Sequence, residues 1–270
     1  KTCAEQKILD PTSLSGVYAL VDPLDEHGVW ETWCDMSSTN GGWTLLGRSV
    51  KDDVSSSGQE AWGNAGWNEY TATGFGEASG NSQYWVSLQR WQKLLETYDE
   101  NVVYWSDSKY DLGGGTTPKI INLKLEGIKY QLMCGSASNS ANFQAACNTN
   151  FFTTHDQDND AWSGNCAKTN VGYLGGNWYT NCYQNSMYHS RMGSPGSFKT
   201  NYYTNGGSAV DWIKIYFREA NPQNPNSGST ETSASSSSLH FSASTTRYFP
   251  SGFSQVDVGS IKIWSRVLSR

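Results

Sequence analysis

Three aspartates at alternating positions, Asp156, Asp158 and Asp160, open a segment (residues 155–183) that reads HDQDNDAWSGNCAKTNVGYLGGNWYTNCY. Carboxylate oxygens are the ligands that hard cations prefer, and Ca²⁺ accepts about six to eight oxygens in flexible geometry. The acidic part is followed by Trp, Tyr and Gly residues and closes on a cysteine. The segment therefore predicts a cation site beside an aromatic-walled pocket.

An EF-hand is the first alternative for this acidic loop. An EF-hand needs Gly at its sixth position and Glu at its twelfth. Counted from Asp156, these positions hold Ala161 and Ala167, which excludes an EF-hand. A loop of alternating carboxylates can still chelate Ca²⁺ when backbone carbonyl oxygens complete the shell, whereas Mg²⁺ needs a stricter geometry. A solvated acidic turn without a metal is the other alternative.

Six cysteines are present, and none has a C-x-x-C or His-containing zinc spacing, so disulfides are favoured over a structural zinc site. Several connectivities are open, and pairing between sequence neighbours is our prediction. Disulfides indicate an oxidising compartment and hence a secreted protein. The predicted pairs are Cys3 with Cys34, Cys134 with Cys147, and Cys166 with Cys182.

Several functional classes are disfavoured by composition. The net charge is −6 and Lys and Arg do not cluster, so neither nucleic acid nor an anionic membrane is an expected partner. No apolar run reaches the roughly 20 residues of a membrane helix. The start, KTCAEQKILD, has no signal-peptide core, so we expect that a signal was removed or lies upstream.

Catalytic motifs are also missing. The four histidines form no H-E-x-x-H pair, and no G-x-S-x-G elbow occurs, so we predict a protein that is not an enzyme. A pair of carboxylates for glycoside hydrolysis stays open, because their separation depends on the tertiary fold.

The elements that must position the acidic segment are mostly strands. Two strands joined by a turn are predicted within residues 16–34, a third within 41–50, and more within 120–133, where Ile121, Leu123 and Leu125 alternate. One helix is predicted to begin after Ser87 as N-cap. Its core face has helical spacing: Leu88, Trp91, Leu94 and Leu95.

Two similar segments lie near the C-terminal end, WIKIYFR at residues 212–218 and IKIWSR at 261–266. Both alternate as strands, so we predict that they pair in one sheet. Between them, residues 227–238 hold nine Ser or Thr in twelve, which is typical of a linker or a mobile surface insertion.

The motifs C-A-E-Q, S-G-V-Y, W-C-D-M, N-G-G-W-T-L-L-G-R and G-F-G resemble the fibrinogen-related domain family, which includes fibrinogen globular ends, ficolins and tachylectins. The opening motifs also occur in intelectins. The resemblance implies an α+β, fibrinogen C-terminal-like fold with twisted antiparallel sheets, few short helices, long loops and disulfide staples. It implies a single domain over residues 1–270, with a core at 1–220, an insertion or linker at 221–246 and a C-terminal strand at 247–270.

D-x-D-N-D-x-W-x-G-N-C-A is similar to the calcium loop of that family. Carried over by position, the implied ligands are the carboxylates of Asp158 and Asp160 and the carbonyl oxygens of Trp162 and Gly164, with water completing the shell. The resemblance leaves Asp156 outside the first shell.

The rest of the segment resembles the family's acetyl-binding pocket. Tyr173 is implied as a pocket wall, and Asn181 and Cys182 as an unusual cis peptide that costs roughly 3 kcal/mol. Tyr203 and Thr204, in Y-T-N-G, are implied as a further wall. Tyr183 departs from the family, which usually has His there, and this puts acetyl specificity in question.

The function implied is a secreted, calcium-dependent lectin of the innate-recognition type that binds acetylated glycans, such as N-acetyl sugars or sialic acid. Because a single carbohydrate pocket binds weakly, we expect a homo-oligomer, which raises the avidity, and we expect it to form through the domain's own surface. The alternative is a fibrinogen-like module that binds proteins or peptides without sugar specificity.

Overall fold

The computed structural model describes residues 1–50, 64–80, 82–108, 112, 119–138, 147–169, 172–173, 175–179, 189–190, 198–200, 208–209, 212–220, 253–258 and 261–266. The protein divides into two compact units, Lys1–Ser229 and Thr230–Arg270. None of the helices in these ranges has the length and apolar character that crossing a membrane requires.

A nine-stranded antiparallel sheet forms the body of the first unit. The strands are β1 (Gly16–Asp22), β2 (Asp25–Asp35), β3 (Trp43–Val50), β4 (Phe75–Gly76), β5 (Tyr84–Trp85), β6 (Asn101–Asp107), β7 (Lys119–Glu126), β8 (Gln131–Ser138) and β16 (Trp212–Glu219). The main path of the sheet runs β1-β2-β3-β16-β6-β7-β8, and β5 joins it by pairing with β3 and β4. The strands predicted within 16–34, 41–50 and 120–133 are thereby confirmed.

Short strand pairs account for the other described elements of the first unit. These strands are β9 (Phe152–Thr153), β10 (Lys168–Thr169), β11 (Gly172–Tyr173), β12 (Asn177–Trp178), β13 (His189–Ser190), β14 (Phe198–Thr200) and β15 (Ser208–Ala209). Antiparallel pairs join β9 with β12 and β10 with β11, and β14 lies between β13 and β15. The helical elements are α1 (Cys3–Leu9), a 3₁₀ turn (Ser38–Asn40), a π-helical turn (Glu69–Thr73) and α2 (Leu88–Thr97).

The predicted helix is confirmed as α2. The Ser87 hydroxyl acts as its N-cap by accepting a hydrogen bond from the Arg90 N–H, and the helix ends at Thr97. Its apolar face is fully buried, because residues three and four apart lie on one side of a helix. The buried residues are those that the spacing predicted: Leu88, Trp91, Leu94 and Leu95.

Strand β7 departs from strict alternation. Leu123 and Leu125 are buried as predicted, but Ile120 is buried in place of Ile121. Asn122 lies between them with φ of 52°, in the left-handed region. Because a strand alternates its faces at every residue, this one distorted position moves the first half of the strand by one residue.

An aromatic core joins the sheet to the segment that leads into the acidic loop. Trp85 of β5 stacks on Trp91 of α2 with ring centroids 4.8 Å apart, and Phe152 of β9 packs edge-on against Trp178 of β12 at 4.8 Å. Tyr70 touches both groups, at 5.2 Å from Trp85 and 5.3 Å from Phe152. The base of the acidic loop therefore rests on a rigid core.

Two of the three predicted disulfides are confirmed, Cys3–Cys34 and Cys134–Cys147. Cys166 is also disulfide-bonded. Its predicted partner, Cys182, lies outside the described residues.

The two similar segments near the C-terminal end do not pair, so that prediction is wrong. Strand β16 lies between β3 and β6, which occupy both of its edges. In the second unit, β18 (Ile261–Arg266) pairs with β17 (Phe253–Val258) in a two-stranded hairpin. The predicted insertion at 221–246 lies outside the described residues.

Candidate functional site

The acidic loop runs from β9 to β10, and two asparagine side chains hold its backbone. The Asn159 amide donates to the Phe152 carbonyl at 2.9 Å, and its own N–H donates to the Thr153 hydroxyl at 3.1 Å. The Asn165 amide donates to the Thr154 carbonyl at 2.9 Å, and its oxygen accepts from the Ala167 N–H at 2.8 Å. The loop is therefore tied at both ends and across its middle.

The two predicted carboxylate ligands lie together in this loop. Asp160 accepts one hydrogen bond on each oxygen, from the N–H of Trp162 at 2.9 Å and from that of Cys166 at 2.8 Å. Asp158 accepts from the Asp160 N–H at 3.3 Å. Burial raises the pKa of Asp160, and the negative charge of Asp158 raises it further, against the lowering effect of the two N–H groups. A cation beside the pair would relieve this repulsion.

The two predicted carbonyl ligands lie one turn further on. A Cβ added at Gly164 would come 3.1 Å from the Trp162 ring, so the indole lies directly over this glycine. Within the described residues, no hydrogen bond is made to the carbonyl oxygen of Trp162 or of Gly164. Both oxygens therefore have no donor in the part of the chain that the structure describes. The Trp162 side chain itself is 46% exposed.

Asp156 makes its hydrogen bonds away from the two predicted carboxylate ligands. Its Oδ1 accepts from the Trp67 N–H at 2.8 Å and from the Thr154 hydroxyl at 2.7 Å. Partial burial opposes ionisation, but these hydrogen bonds outweigh it and lower the pKa of Asp156. No cluster of three or more His, Cys, Asp or Glu side chains that could hold a metal occurs in the described part of the protein. A cation at this loop would thus depend on carbonyl and water oxygens as well as two carboxylates, and such a set suits Ca²⁺.

The predicted pocket wall is described only in part. Tyr173 lies in β11, where it is paired with Lys168 of β10. The other predicted ligand-binding residues lie outside the described residues: Asn181, Cys182, Tyr183, Tyr203 and Thr204. The unusual peptide predicted between Asn181 and Cys182 also lies there.

Sequence reasoning missed several residues that build the site. Tyr179 is buried in a small cluster with Cys166 and Ala167, and its hydroxyl donates to the Gly175 carbonyl at 2.8 Å. This cluster joins the end of the acidic loop to the aromatic segment. Asn159 and Asn165 could have been found from their residue type, because Asn side chains readily form hydrogen bonds with nearby backbone groups in loops.

Two clefts among the described residues lie away from the acidic loop. One, of about 290 Å³, is bordered by β2, β5 and the Arg90 side chain. The other, of about 430 Å³, lies between α2 and the end of β7. Neither is lined by a predicted site residue.

The sequence matches the model of one protein family. The family model of the C-terminal globular domain of fibrinogen beta and gamma chains matches residues 1–218. Angiopoietin-related protein 1 of Mus musculus is 29% identical over 179 residues, which are 62% of this chain and 31% of that protein. The chain thus spans about a third of the length of this relative.

Solved structures show the same fold. The fibrinogen-like globe domain of human ANGPTL6 superposes with a TM-score of 0.59 at 24% identity, covering 82% of this chain and 95% of that one. Lamprey fibrin D-dimer, solved with the peptide Gly-His-Arg-Pro-amide, superposes with a TM-score of 0.54 at 15% identity over 87% of this chain and 78% of that one. The α+β, disulfide-stapled fold that the sequence predicted is confirmed.

Proposed function

The protein belongs to the family defined by the C-terminal globular domain of fibrinogen beta and gamma chains, and from this premise we propose that it is an extracellular module that binds a protein or peptide. This is the second of the two functions that the sequence predicted. The relative and the structures above are angiopoietin-related and fibrin proteins, and none of their names describes a sugar-binding protein. Disulfide bonds support an extracellular location.

The observation that carries the proposal is the exposed Trp162 ring in the acidic loop. Trp162 is the one tryptophan among the large exposed apolar side chains of the described residues. Tryptophan is enriched at the residues that dominate the binding energy of protein interfaces, because it supplies a large apolar area. The net charge of −6 favours a ligand with positive charge.

A peptide with a free amino end fits these features. Lamprey fibrin, which shares the fold, was solved with a peptide that begins with Gly and contains His and Arg. A positively charged amino end or guanidinium is attracted to an acidic surface and to the face of a tryptophan ring. We extend to this protein only the class of ligand, a cationic peptide segment.

Calcium belongs to the proposal as a structural ion. Asp158 and Asp160 would hold it through carboxylates, and Trp162 and Gly164 through carbonyl oxygens. The ion would supply positive charge between the two carboxylates, and these four residues would hold the turn that carries the indole around it. Trp162 then provides the contact surface, and Asn159 and Asn165 keep the loop in one conformation.

The test compares two kinds of ligand on the same protein. Calorimetric titration in Ca²⁺ uses Gly-His-Arg-Pro-amide, the same peptide with an acetylated amino end, N-acetylglucosamine and sialic acid. We expect the free-amine peptide to bind and the acetylated peptide to bind more weakly. Neither sugar should displace the free-amine peptide. Binding of acetylated ligands alone would instead support the acetylated-glycan lectin, and binding of none would overturn the peptide proposal.

A further inference from the structure

We propose that Asp156 is a positioning residue for the calcium loop: it fixes the loop to the turn at Gly66 and Trp67 without being a ligand. The inference rests on the proposed calcium site. It goes beyond that site because it gives a separate role to the one aspartate of the three that the ligand set leaves out. The role follows from contacts between residues that lie 89 positions apart in the sequence.

The contacts of Asp156 join the loop to a different part of the fold. Oδ1 accepts from the backbone N–H of Trp67 at 2.8 Å and from the Thr154 hydroxyl at 2.7 Å. Trp67 stands at the start of a helical turn, where backbone N–H groups lack partners within the helix. Asp156 therefore acts as a long-range cap of this turn and is satisfied by it.

The fit around the other oxygen is close. A Cβ added at Gly66 would lie 2.6 Å from Asp156 Oδ2, which is shorter than a carbon–oxygen contact tolerates. Gly66 thus leaves the space that the carboxylate occupies. A second tether lies next to it, since His155 Nε2 is 3.2 Å from the Asn64 carbonyl oxygen.

The turn that receives Asp156 is itself rigid. The Tyr70 N–H donates to the Gly66 carbonyl at 3.0 Å, and the Tyr70 ring is fully buried against Trp85 and Phe152. The Trp67 ring packs on Phe152 with centroids 6.3 Å apart. Asp156 therefore connects the calcium loop to a turn that is held by the buried aromatic core.

This connection matters because the proposed site has few fixed ligands. Two carboxylates and two carbonyls bind well only when the loop is ordered beforehand, since otherwise part of the binding free energy is lost in ordering it. Residues that orient metal ligands from outside the first shell typically change metal affinity by about 10- to 100-fold when removed. We expect Asp156 to act in this range.

The experiment measures Ca²⁺ affinity by calorimetry and Tb³⁺ luminescence, which Trp162 can sensitise from within the loop. The variants are Asp156→Ala, Asp156→Asn and Gly66→Ala, with Asp10→Ala as the matched control. Asp10 Oδ1 accepts a backbone N–H at 3.0 Å and a hydroxyl at 2.7 Å, both from Thr12, so its replacement removes the same kinds of bonds away from the loop. Thermal unfolding without metal records any general loss of stability.

We expect Asp156→Ala and Gly66→Ala to weaken Ca²⁺ binding by about 10-fold or more. Asp156→Asn, which keeps an oxygen acceptor, should recover most of the affinity, and Asp10→Ala should bind as wild type does. Tb³⁺ lifetimes in H₂O and D₂O count the water molecules on the ion. That count should be the same in Asp156→Ala and wild type, because no ligand has been lost.

The contrary outcomes are distinct. Wild-type affinity in Asp156→Ala and Gly66→Ala overturns the positioning role and leaves the calcium site intact. An additional bound water in Asp156→Ala shows that Asp156 is a ligand, which also overturns it. If wild-type protein binds neither Ca²⁺ nor Tb³⁺, the calcium loop of the proposed function fails. If Asp156→Ala does not fold, Gly66→Ala decides the question.

Discussion

The carboxylate of Glu219, the last residue of β16, accepts a short hydrogen bond from the hydroxyl of Thr2, the residue that caps α1. The same hydroxyl accepts the Glu5 N–H, so the N-terminal residues are docked on the central strand by connected hydrogen bonds. Glu219 is 2% exposed, and its other oxygen has no hydrogen-bond partner among the described residues.

This burial predicts a pH dependence. Burial, with a smaller contribution from the charge of Glu5, raises the pKa of Glu219 from its ordinary value of 4.5 to about 7, against the lowering effects of Thr2 and Arg218. A pKa that is higher in the folded state stabilises the fold below pH 4.5 and loses that effect as the pH rises through 7. We expect Glu219→Gln to raise the free energy of unfolding above pH 7 by up to about 3 kcal/mol and to change it little below pH 4.5.

Urea unfolding between pH 4 and pH 8, without reductant, checks this prediction as the difference between variant and wild type. Glu96→Gln, at a side chain that is 57% exposed, is the control and should give a flat difference. A flat difference for Glu219→Gln as well would contradict the assignment.

Calcium should stabilise the fold. Any ligand that binds only the folded state raises its stability, by about 2.7 kcal/mol at a free concentration 100 times the dissociation constant. We expect a higher melting temperature in Ca²⁺ than in a chelator, with little effect of Mg²⁺, and we expect Asp160→Asn to remove most of the shift. Differential scanning calorimetry measures this, and an equal shift in Asp160→Asn and wild type would exclude Asp160 as a ligand.

Trp162 should separate ligand binding from metal binding. Its proposed contribution to the ion is a carbonyl oxygen, which any residue supplies, whereas its ring is exposed. We expect Trp162→Ala to leave the Ca²⁺ affinity within about threefold of wild type. Peptide binding should weaken by about 2 kcal/mol, or ~30-fold. Calorimetry with both ligands checks it, Trp162→Phe is the conservative control, and unchanged peptide affinity would place the ligand elsewhere.

Arg48 should contribute strongly to the stability of the fold. Its buried guanidinium donates to the carbonyl oxygens of Ser82, Glu77 and Ser79 at 2.7 to 2.9 Å and to that of Ala78 at 3.3 Å. A buried carbonyl left without its partner costs about 1–3 kcal/mol. We expect Arg48→Met to lower the free energy of unfolding by at least about 3 kcal/mol. Arg48→Lys should rescue little, because one ammonium cannot reach the same set.

Denaturant unfolding measures the effect, with Lys93→Met at an exposed side chain as the control. Near wild-type stability of Arg48→Met would mean that water replaces the guanidinium at these carbonyls.

Local patterns in the sequence predicted the elements but not their assembly. The face of α2 followed from helical spacing alone, because Leu88, Trp91, Leu94 and Leu95 repeat with the period of the helix. In β7, the left-handed conformation of Asn122 shifts by one residue which side chains are buried, and the alternation of apolar residues does not predict that conformation. Strands β16 and β18 have nearly the same local sequence, and only their neighbours decide that one is central and the other part of a hairpin.

In the candidate site, too, the sequence predicted contacts within the loop but not contacts with residues that are remote in the sequence. Spacing within the acidic loop pointed to a cation and, by resemblance, to Asp158 and Asp160. It could not reveal why Asp156 is different, because its partner Trp67 is remote in the sequence. Tyr179 likewise joins Cys166 and Ala167 through packing that no periodicity encodes.

The central place of β16 sets the order in which this sheet can be completed. Ile215 pairs with Gly47 on one side and with Trp105 on the other, so among the described strands β16 joins β3 to β6 and is synthesised after both. Until β16 emerges from the ribosome, β3 and β6 each have an unpaired inner edge of the kind that promotes aggregation. Such distant pairing makes for slow folding. A protein truncated before Trp212 would thus lack the strand that joins β3 to β6, and both strands would keep an unpaired edge.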